Sequence, residues 1–181
     1  MKTKLNQSKL KLAIVSAVLV GTASLTLPAY ATGTSSANMS VTANIGMNCT
    51  ISTADIAFGA YDPIVTHASV DLDAQGSVTT TCTVGSAGKV IIGQGLDPAD
   101  NSSDIDPLRR MGGPSEGDYL NYQVYSDAGR STIWANDTDY GKTYNASGSA
   151  EVMPVYGRVG AGQTAAVKGS YTDTLLVTVN Y

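Results

Sequence analysis

The sequence predicts an all-β protein folded as a β-sandwich, and three observations support that prediction. Residues 37–52 alternate apolar and polar side chains without interruption, which is the period of a half-buried strand. Thr, Val and Tyr are abundant, while nineteen glycines and many Asn, Asp and Ser residues divide the chain into short segments. No long stretch has the 3.6-residue period of an amphipathic helix. Short strands at this spacing are typical of two packed sheets.

The first element is a predicted signal peptide. Four lysines precede the apolar run LAIVSAVLVGTASLTL, which leads into the small-residue triplet AYA. The run is too short for a typical membrane anchor. We therefore predict residues 1–31 as the signal peptide, with cleavage after Ala31. Cleavage would leave 7 basic against 15 acidic residues, a net charge of −8, which argues against a nucleic-acid partner.

The alternation that follows is longer than one strand of a sandwich needs. Residues 37–52 would extend roughly 50 Å at about 3.3 Å per residue, whereas ordinary strands are near 20 Å. The excess must bury its apolar side chains somewhere. One alternative is a turn at Gly46 that returns residues 37–45 to complete their own domain. The other is burial in a different molecule.

The chain has two cysteines, Cys49 and Cys82, both on predicted strands. An even, minimal pair in an exported chain predicts one disulfide. Closing a loop of about 33 residues would stabilise the fold by roughly 3 to 4 kcal/mol. The alternatives are a metal site, which would need further Cys or His ligands, and a reactive thiol, which would need a His partner. His67 is the single histidine, so we predict no metal site and no cofactor.

Further strands are predicted where β-branched and aromatic residues alternate between turn signals. They lie at 68–73, 76–84, 88–93, 119–126, 131–135, 151–156 and 170–181. Residues 93–118 form a long acidic, Gly- and Pro-rich connection, which is either functional or mobile. Its aspartates raise the alternative of a calcium site: Asp97, Asp100, Asp104 and Asp106. They lack the order and the central glycine of an EF-hand, so a solvated acidic loop is preferred.

The last predicted strand alternates up to the final residue. Its apolar positions are Tyr171, Leu175, Val177, Val179 and Tyr181. Asp173 interrupts the apolar face, and Leu176 lies on the polar face. We expect no later segment to cover the free edge of this strand, and an uncovered edge beside an apolar core pairs with another chain. A surplus strand at one end and a missing strand at the other would complement each other.

Two segments resemble hallmark segments of the spore coat protein U domain family, the subunits of archaic chaperone-usher pili. They are YQVYSDAGRSTIWAND at 122–137 and VYGRVGAGQTAAVKGSYTDTLLVTVNY at 155–181. The leader, the alternating N-terminal segment and the cysteine placement are similar as well, so the resemblance covers essentially the whole chain. It is closest to the Csu-type major pilin. The resemblance implies an incomplete immunoglobulin-like sandwich that lacks its last strand.

The family pattern implies that residues 32–46 are a donor-strand extension and that 47–181 form the incomplete domain. The inserted side chains would be Ala37, Met39, Val41, Ala43 and Ile45. The last strand, with Tyr171, Leu175, Val177, Val179 and Tyr181, would line the acceptor groove. The implied partners are a periplasmic chaperone, the outer-membrane usher, other pilus subunits and further copies of this chain. The resemblance therefore implies export through the periplasm into a surface pilus that supports attachment and biofilm formation.

The main alternative is a self-complete secreted sandwich that binds glycans or surfaces. Ten tyrosines and Trp134 could line such a binding face, although tyrosines at alternating strand positions more often pack. An enzyme is not predicted, because His67 has no catalytic signature around it and no carboxylate pair stands out among the dispersed aspartates.

Overall fold

A computed structural model describes residues 32–181. The predicted signal peptide, residues 1–31, and its cleavage after Ala31 lie outside the described residues. The chain divides into two units after Thr42. Residues 32–42 have no regular secondary structure and are exposed. No helix in the described part of the chain is long and apolar enough to span a membrane.

The second unit, Ala43–Tyr181, holds eight strands in two sheets. They are β1 Cys49–Ala54, β2 Leu72–Cys82, β3 Lys89–Ile92, β4 Arg109–Gly112, β5 Tyr119–Tyr125, β6 Lys142–Thr143, β7 Glu151–Val159 and β8 Val177–Asn180. One sheet has the order β1-β2-β7-β5-β4, and the other has the order β6-β3-β8. Every pairing between these strands is antiparallel. The all-β prediction is confirmed.

The core lies between the two sheets, because each central strand turns alternate side chains inward. Strands β2, β5 and β7 bury every second residue over part or all of their length. The most deeply buried hydrophobic residues are Val78, Val90, Ile92, Val124, Trp134, Ala135 and Val159. Trp134 also donates its indole N–H to the carbonyl oxygen of Val90 at 2.8 Å. The core is therefore well packed on the side of β3 and Trp134.

Two predicted strands are wrong. Residues 68–70 are bends, and β2 starts only at Leu72 and then continues without a break to Cys82, so the strands predicted at 68–73 and 76–84 are one strand. Residues 131–135 contain only an isolated bridge, between Ile133 and Tyr125. The Asp127 carboxylate accepts the backbone N–H of Ser131 and Thr132, and this turn replaces ladder pairing.

The long acidic connection is shorter than predicted, because β4 lies within 93–118 and pairs with β5. Strand β6 was not predicted either. The last predicted strand, 170–181, is regular only over Val177–Asn180, with one further bridge between Thr172 and Gly112. The physical reason is Asp173, whose side chain accepts two backbone N–H groups, from Leu96 at 2.8 Å and Thr174 at 2.7 Å.

Candidate functional site

A long groove opens between the segment that follows β1 and the segment that leads into β8. It consists of two adjoining cavities of about 540 Å³ and 810 Å³. Ile56, Phe58, Met111 and Tyr171 line both cavities, so the two are continuous. We call them together the open groove. Its floor is made of core residues, among them Val78, Ile92, Leu120, Tyr122, Val155 and Val159. The sandwich is therefore incomplete where its hydrophobic core reaches this groove.

The first wall is formed by residues 53–61, which continue from β1 across the face of the larger sheet. Two glycines of that sheet allow the close approach. A Cβ on Gly157 would lie 2.8 Å from Phe58 Cζ, and one on Gly76 would lie 2.6 Å from the carbonyl oxygen of Ala54. Phe58 then packs edge-on against Tyr122, with ring centroids 6.1 Å apart. Only residues without a side chain at these two positions let the wall lie on the sheet.

The second wall is the predicted last strand. Exposure alternates along residues 171–176, with the odd positions half-buried and the even positions exposed. Tyr171, Leu175, Val177 and Val179 pack against the core, whereas Tyr181 is 51% exposed. Tyr171, Leu175 and Val177 line the groove. Asp173 lines it too, and its Oδ2 accepts the Tyr122 hydroxyl at 2.6 Å. Burial, together with this hydrogen bond, raises the pKa of Tyr122.

Within residues 32–181, strand β8 presents an unpaired backbone edge. Its partners Val90 and Ile92 direct their backbone groups away from it: Val90 O accepts from Trp134, and Ile92 N–H donates to Ala135 O at 3.0 Å. The pair of Val90 with Val179 and the pair of Ile92 with Val177 are therefore non-hydrogen-bonded pairs of the antiparallel ladder. The N–H and C=O groups of Val177 and Val179 consequently face the outer edge, where no other strand of residues 32–181 pairs with them.

The predicted inserted residues are all exposed, and residues 32–48 contain no strand. Met39, Val41 and Ile45 are 88%, 87% and 83% exposed. Ala37 and Ala43 are exposed as well. An uncharged segment with an alternating apolar face is thus left uncovered.

The predicted disulfide is present. Cys49 and Cys82 are directly paired across β1 and β2, with an S–S distance of 2.10 Å. Because β1 is an edge strand with exposed side chains, the bond fastens the start of β1, which leads into the first wall, to β2.

A buried arginine behind the groove was not predicted. Arg109 is 1% exposed, and its guanidinium donates to the carbonyl oxygens of Ile92, Gly93 and Trp134, each at 2.8 Å, and to the side chain of Gln123. It thereby joins β4 to the end of β3. Burial lowers its pKa to about 10, so the group stays charged at neutral pH. Its sequence context, RRMGG, carries no signal for burial.

The acidic connection is held by hydrogen bonds. Asp104 Oδ1 accepts the side-chain amides of Gln94 at 2.9 Å and Asn136 at 2.7 Å. These bonds hold the pKa of Asp104 below its usual range. Within residues 32–181, no group of three or more His, Cys, Asp or Glu side chains is placed to hold a metal ion. His67 is buried, stacks on Tyr61 with ring centroids 5.0 Å apart, and accepts the backbone N–H of Asp62.

Comparisons with known proteins agree with this architecture. The family described as "Spore Coat Protein U domain" matches residues 35–178. "Protein U" of Myxococcus xanthus is 37% identical over 178 residues, which cover 93% of this chain and 99% of that protein. A chain from the crystal structure of the CsuC-CsuE chaperone-tip adhesion subunit pre-assembly complex, from archaic chaperone-usher Csu pili of Acinetobacter baumannii, superposes with a TM-score of 0.54 at 18% identity. That match covers 76% of this chain and 40% of the other, and it supports the incomplete immunoglobulin-like fold. The chain belongs to the Spore Coat Protein U domain family.

Proposed function

We propose that this protein is the structural major subunit of a chaperone-usher surface pilus and polymerises by head-to-tail donor-strand exchange. The observation that carries the proposal is the coexistence of two unsatisfied features in one chain. One is the open groove beside the free edge of β8. The other is the exposed alternating segment 37–45. Each offers what the other lacks.

The chemistry of insertion follows from these two features. Burying Met39, Val41 and Ile45 would contribute roughly 1.5 to 3 kcal/mol each, and the two alanines would add less. The backbone of the inserted segment would pair with the outward N–H and C=O groups of Val177 and Val179. The joint is thus strand addition, with alternate side chains entering the groove.

The same arrangement sets the form of the assembly and the partners it needs. Donor and acceptor are different surfaces of one chain, so the contact is heterologous and extends into an open filament. Before assembly, an open hydrophobic groove with a free edge would aggregate. A periplasmic chaperone that covers the groove and an outer-membrane usher that exchanges it for the next subunit meet this need. The product would be a surface fibre that supports attachment and biofilm formation, with a structural rather than an enzymatic role.

Deletion of residues 32–46 tests the proposal. The truncated subunit should still fold and bind its chaperone, but surface shearing and electron microscopy should recover no fibres. Fibres of normal length from the truncated chain would refute the proposal. A stable chaperone-free monomer that binds glycans would instead favour a self-complete binding module.

A matched pair of substitutions tests which face is inserted. Val41→Asp places a charge among the inserted side chains and should abolish fibres, because an unpaired carboxylate is costly in an apolar groove. Thr42→Asp places the same charge on the opposite face and should have a milder effect. Equal losses of sheared fibre mass would mean that the face assignment is wrong.

A further inference from the structure

The groove wall contains one polar position among its inward residues. Along residues 171–179, the inward side chains are Tyr171, Asp173, Leu175, Val177 and Val179. Four of the five are apolar, and Asp173 is the exception. A segment that lies along this wall must place one of its own inward side chains beside this carboxylate.

The carboxylate of Asp173 cannot withdraw from the groove. The Tyr122 hydroxyl donates to Oδ2 at 2.6 Å, and the backbone N–H groups of Leu96 and Thr174 donate to Oδ1 at 2.8 and 2.7 Å. On the side of Gly95 the space is full, since a Cβ there would lie 2.1 Å from Oδ2. The position opposite Asp173 therefore has room for a small side chain and offers no apolar surface to a large one.

The exposed N-terminal segment also has five inward candidates, and they differ in size. In chain order they are Ala37, Met39, Val41, Ala43 and Ile45. Antiparallel pairing with full overlap sets Ile45 beside Tyr171 and Ala43 beside Asp173. Parallel pairing with full overlap sets Met39 beside Asp173. Antiparallel pairing shifted by two residues, in one direction or the other, sets Val41 or Ile45 beside Asp173. In the antiparallel direction, setting Ala37 there would leave the wall from Leu175 to Val179 uncovered by the apolar side chains. In the parallel direction it would leave Tyr171 beside Ser35 and set Ile45 beside Tyr181, which is 51% exposed.

We propose that Asp173 fixes the register of the inserted segment by admitting only the small side chain of Ala43. The inference rests on the proposed function, and it adds the residue pairing of the joint. Three large side chains then lie against apolar wall positions: Met39 against Val177, Val41 against Leu175, and Ile45 against Tyr171. Asp173 is a positioning and specificity residue in this scheme.

Cysteine cross-linking in assembled fibres tests the register. Val177 and Val179 direct their backbone groups toward the donor, so their pairs with an antiparallel donor are hydrogen-bonded. Thr178, between them, then belongs to a non-hydrogen-bonded pair. The Cα atoms of such a pair are about 4.5 Å apart, which is within the range of a disulfide. In the proposed register Thr178 faces Asn38 of the next copy, whereas in the parallel register it faces Asn44. Asn38→Cys with Thr178→Cys should give a reducible ladder on boiled non-reducing gels. The matched pair Asn44→Cys with Thr178→Cys should not.

The outcomes separate this inference from the proposed function. A cross-linked ladder from the variant with Asn44→Cys and Thr178→Cys would overturn the register while leaving strand exchange intact. Fibres without any cross-link from the variant with Asn38→Cys and Thr178→Cys would do the same. Failure of the unmodified chain to form fibres overturns the proposed function itself.

A size test addresses Asp173 directly. Ala43→Leu should lower sheared fibre mass by about tenfold or more, because the added carbons meet a fixed carboxylate. Ala37→Leu makes the same change beside Val179 and should be much less severe. Asp173→Ala should restore fibres to the Ala43→Leu chain, with the yield of chaperone-bound subunit as the measure of folding. Equal losses from the two leucine variants would overturn the role of Asp173, and so would failure of rescue in a folded double variant.

Discussion

Arg109 shows how a single side chain can hold the two sheets together. Its guanidinium satisfies three backbone carbonyl groups at the end of β3 and beside Trp134. In the described chain it has no ion pair within salt-bridge distance, so hydrogen bonds and the more distant charge of Asp173 offset the cost of burying its charge. Those carbonyl groups have little access to water, and they would lose their donors if the guanidinium were removed.

Arg109→Met should therefore destabilise the subunit strongly. The loss should be about 2 to 5 kcal/mol, because the methionine fills part of the volume but leaves buried acceptors unpaired. Urea unfolding of the mature protein, followed by tryptophan fluorescence of the buried Trp134, measures the change. Arg110→Met is the matched control, since Arg110 is only half-buried and donates to Asp97 O and Pro98 O in the loop. Equal destabilisation by the two variants would contradict the account.

Asp104 links the stability of the acidic loop to pH. Asn136 and Gln94 hold the pKa of its carboxyl below the ordinary 3.8 in the folded state. The unfolded chain therefore takes up a proton at higher pH than the folded chain does. The contribution of Asp104 is fully present above the unfolded pKa and is lost as the pH falls through the lower folded pKa.

Asp104→Asn should flatten the acid limb of the stability curve. Thermal unfolding midpoints measured from about pH 5 down to pH 2 should fall less steeply for the variant than for the unmodified protein. Other aspartates, such as Asp73 and Asp127, also have lowered pKa values, so the difference between the two curves is the quantity of interest. Asp100→Asn makes the same charge change at an exposed position of the loop. If the two variants gave the same curve, the hydrogen bonds to Asp104 would not be the cause.

The first groove wall depends on glycines in the sheet beneath it. Gly157→Ala would place a methyl group against Phe58 Cζ at 2.8 Å and Ile56 Cγ2 at 2.9 Å. The wall would have to move, and overpacking of this kind costs about 1 to 3 kcal/mol. We expect a lower unfolding midpoint and less fibre, because the displaced wall also reshapes the groove. Gly160→Ala is the control, since nothing lies within 4 Å of a Cβ there. Similar midpoints for the two variants would argue against the close approach.

Alternation along the chain predicts the strands whose two faces differ, and it fails where that difference is absent. Strands β5 and β7 are predicted because one face of each lies on the core. Strand β4 is missed because its most buried residue is Arg109, and a pattern based on polarity cannot recognise a buried cation. The last strand is predicted too long because Asp173 bonds to Leu96, far away in the sequence.

Half of the groove could be predicted from the sequence, and half could not. Tyr171, Leu175 and Val177 stand out through their alternation, and the structure places them along the groove. The opposite wall, residues 53–61, shows no strand pattern in the sequence. Its position is set by Gly76 and Gly157, which are distant in the sequence, so only the folded chain brings the three segments together.

In the proposed assembly the subunit has two different ends, because its extension and its groove are separate surfaces. A chain without residues 32–46 keeps the groove but has nothing to insert. In the proposed assembly it could start a fibre by receiving the extension of the next subunit, but it could not enter the groove of a subunit already in a fibre.

Co-expression of this truncated chain should shorten fibres in proportion to its share of the subunits. The reason is that each truncated copy can start a fibre but cannot extend one, so more fibres share the same supply of complete subunits, whereas an inert protein would start none. Fibre lengths measured on sheared material by electron microscopy, at several expression ratios, give the dependence. A truncated chain that also carries Val177→Asp in the groove should shorten the fibres less, since its groove accepts an extension poorly. Fibre lengths that stay constant as the truncated chain increases would mean that growth does not proceed head to tail.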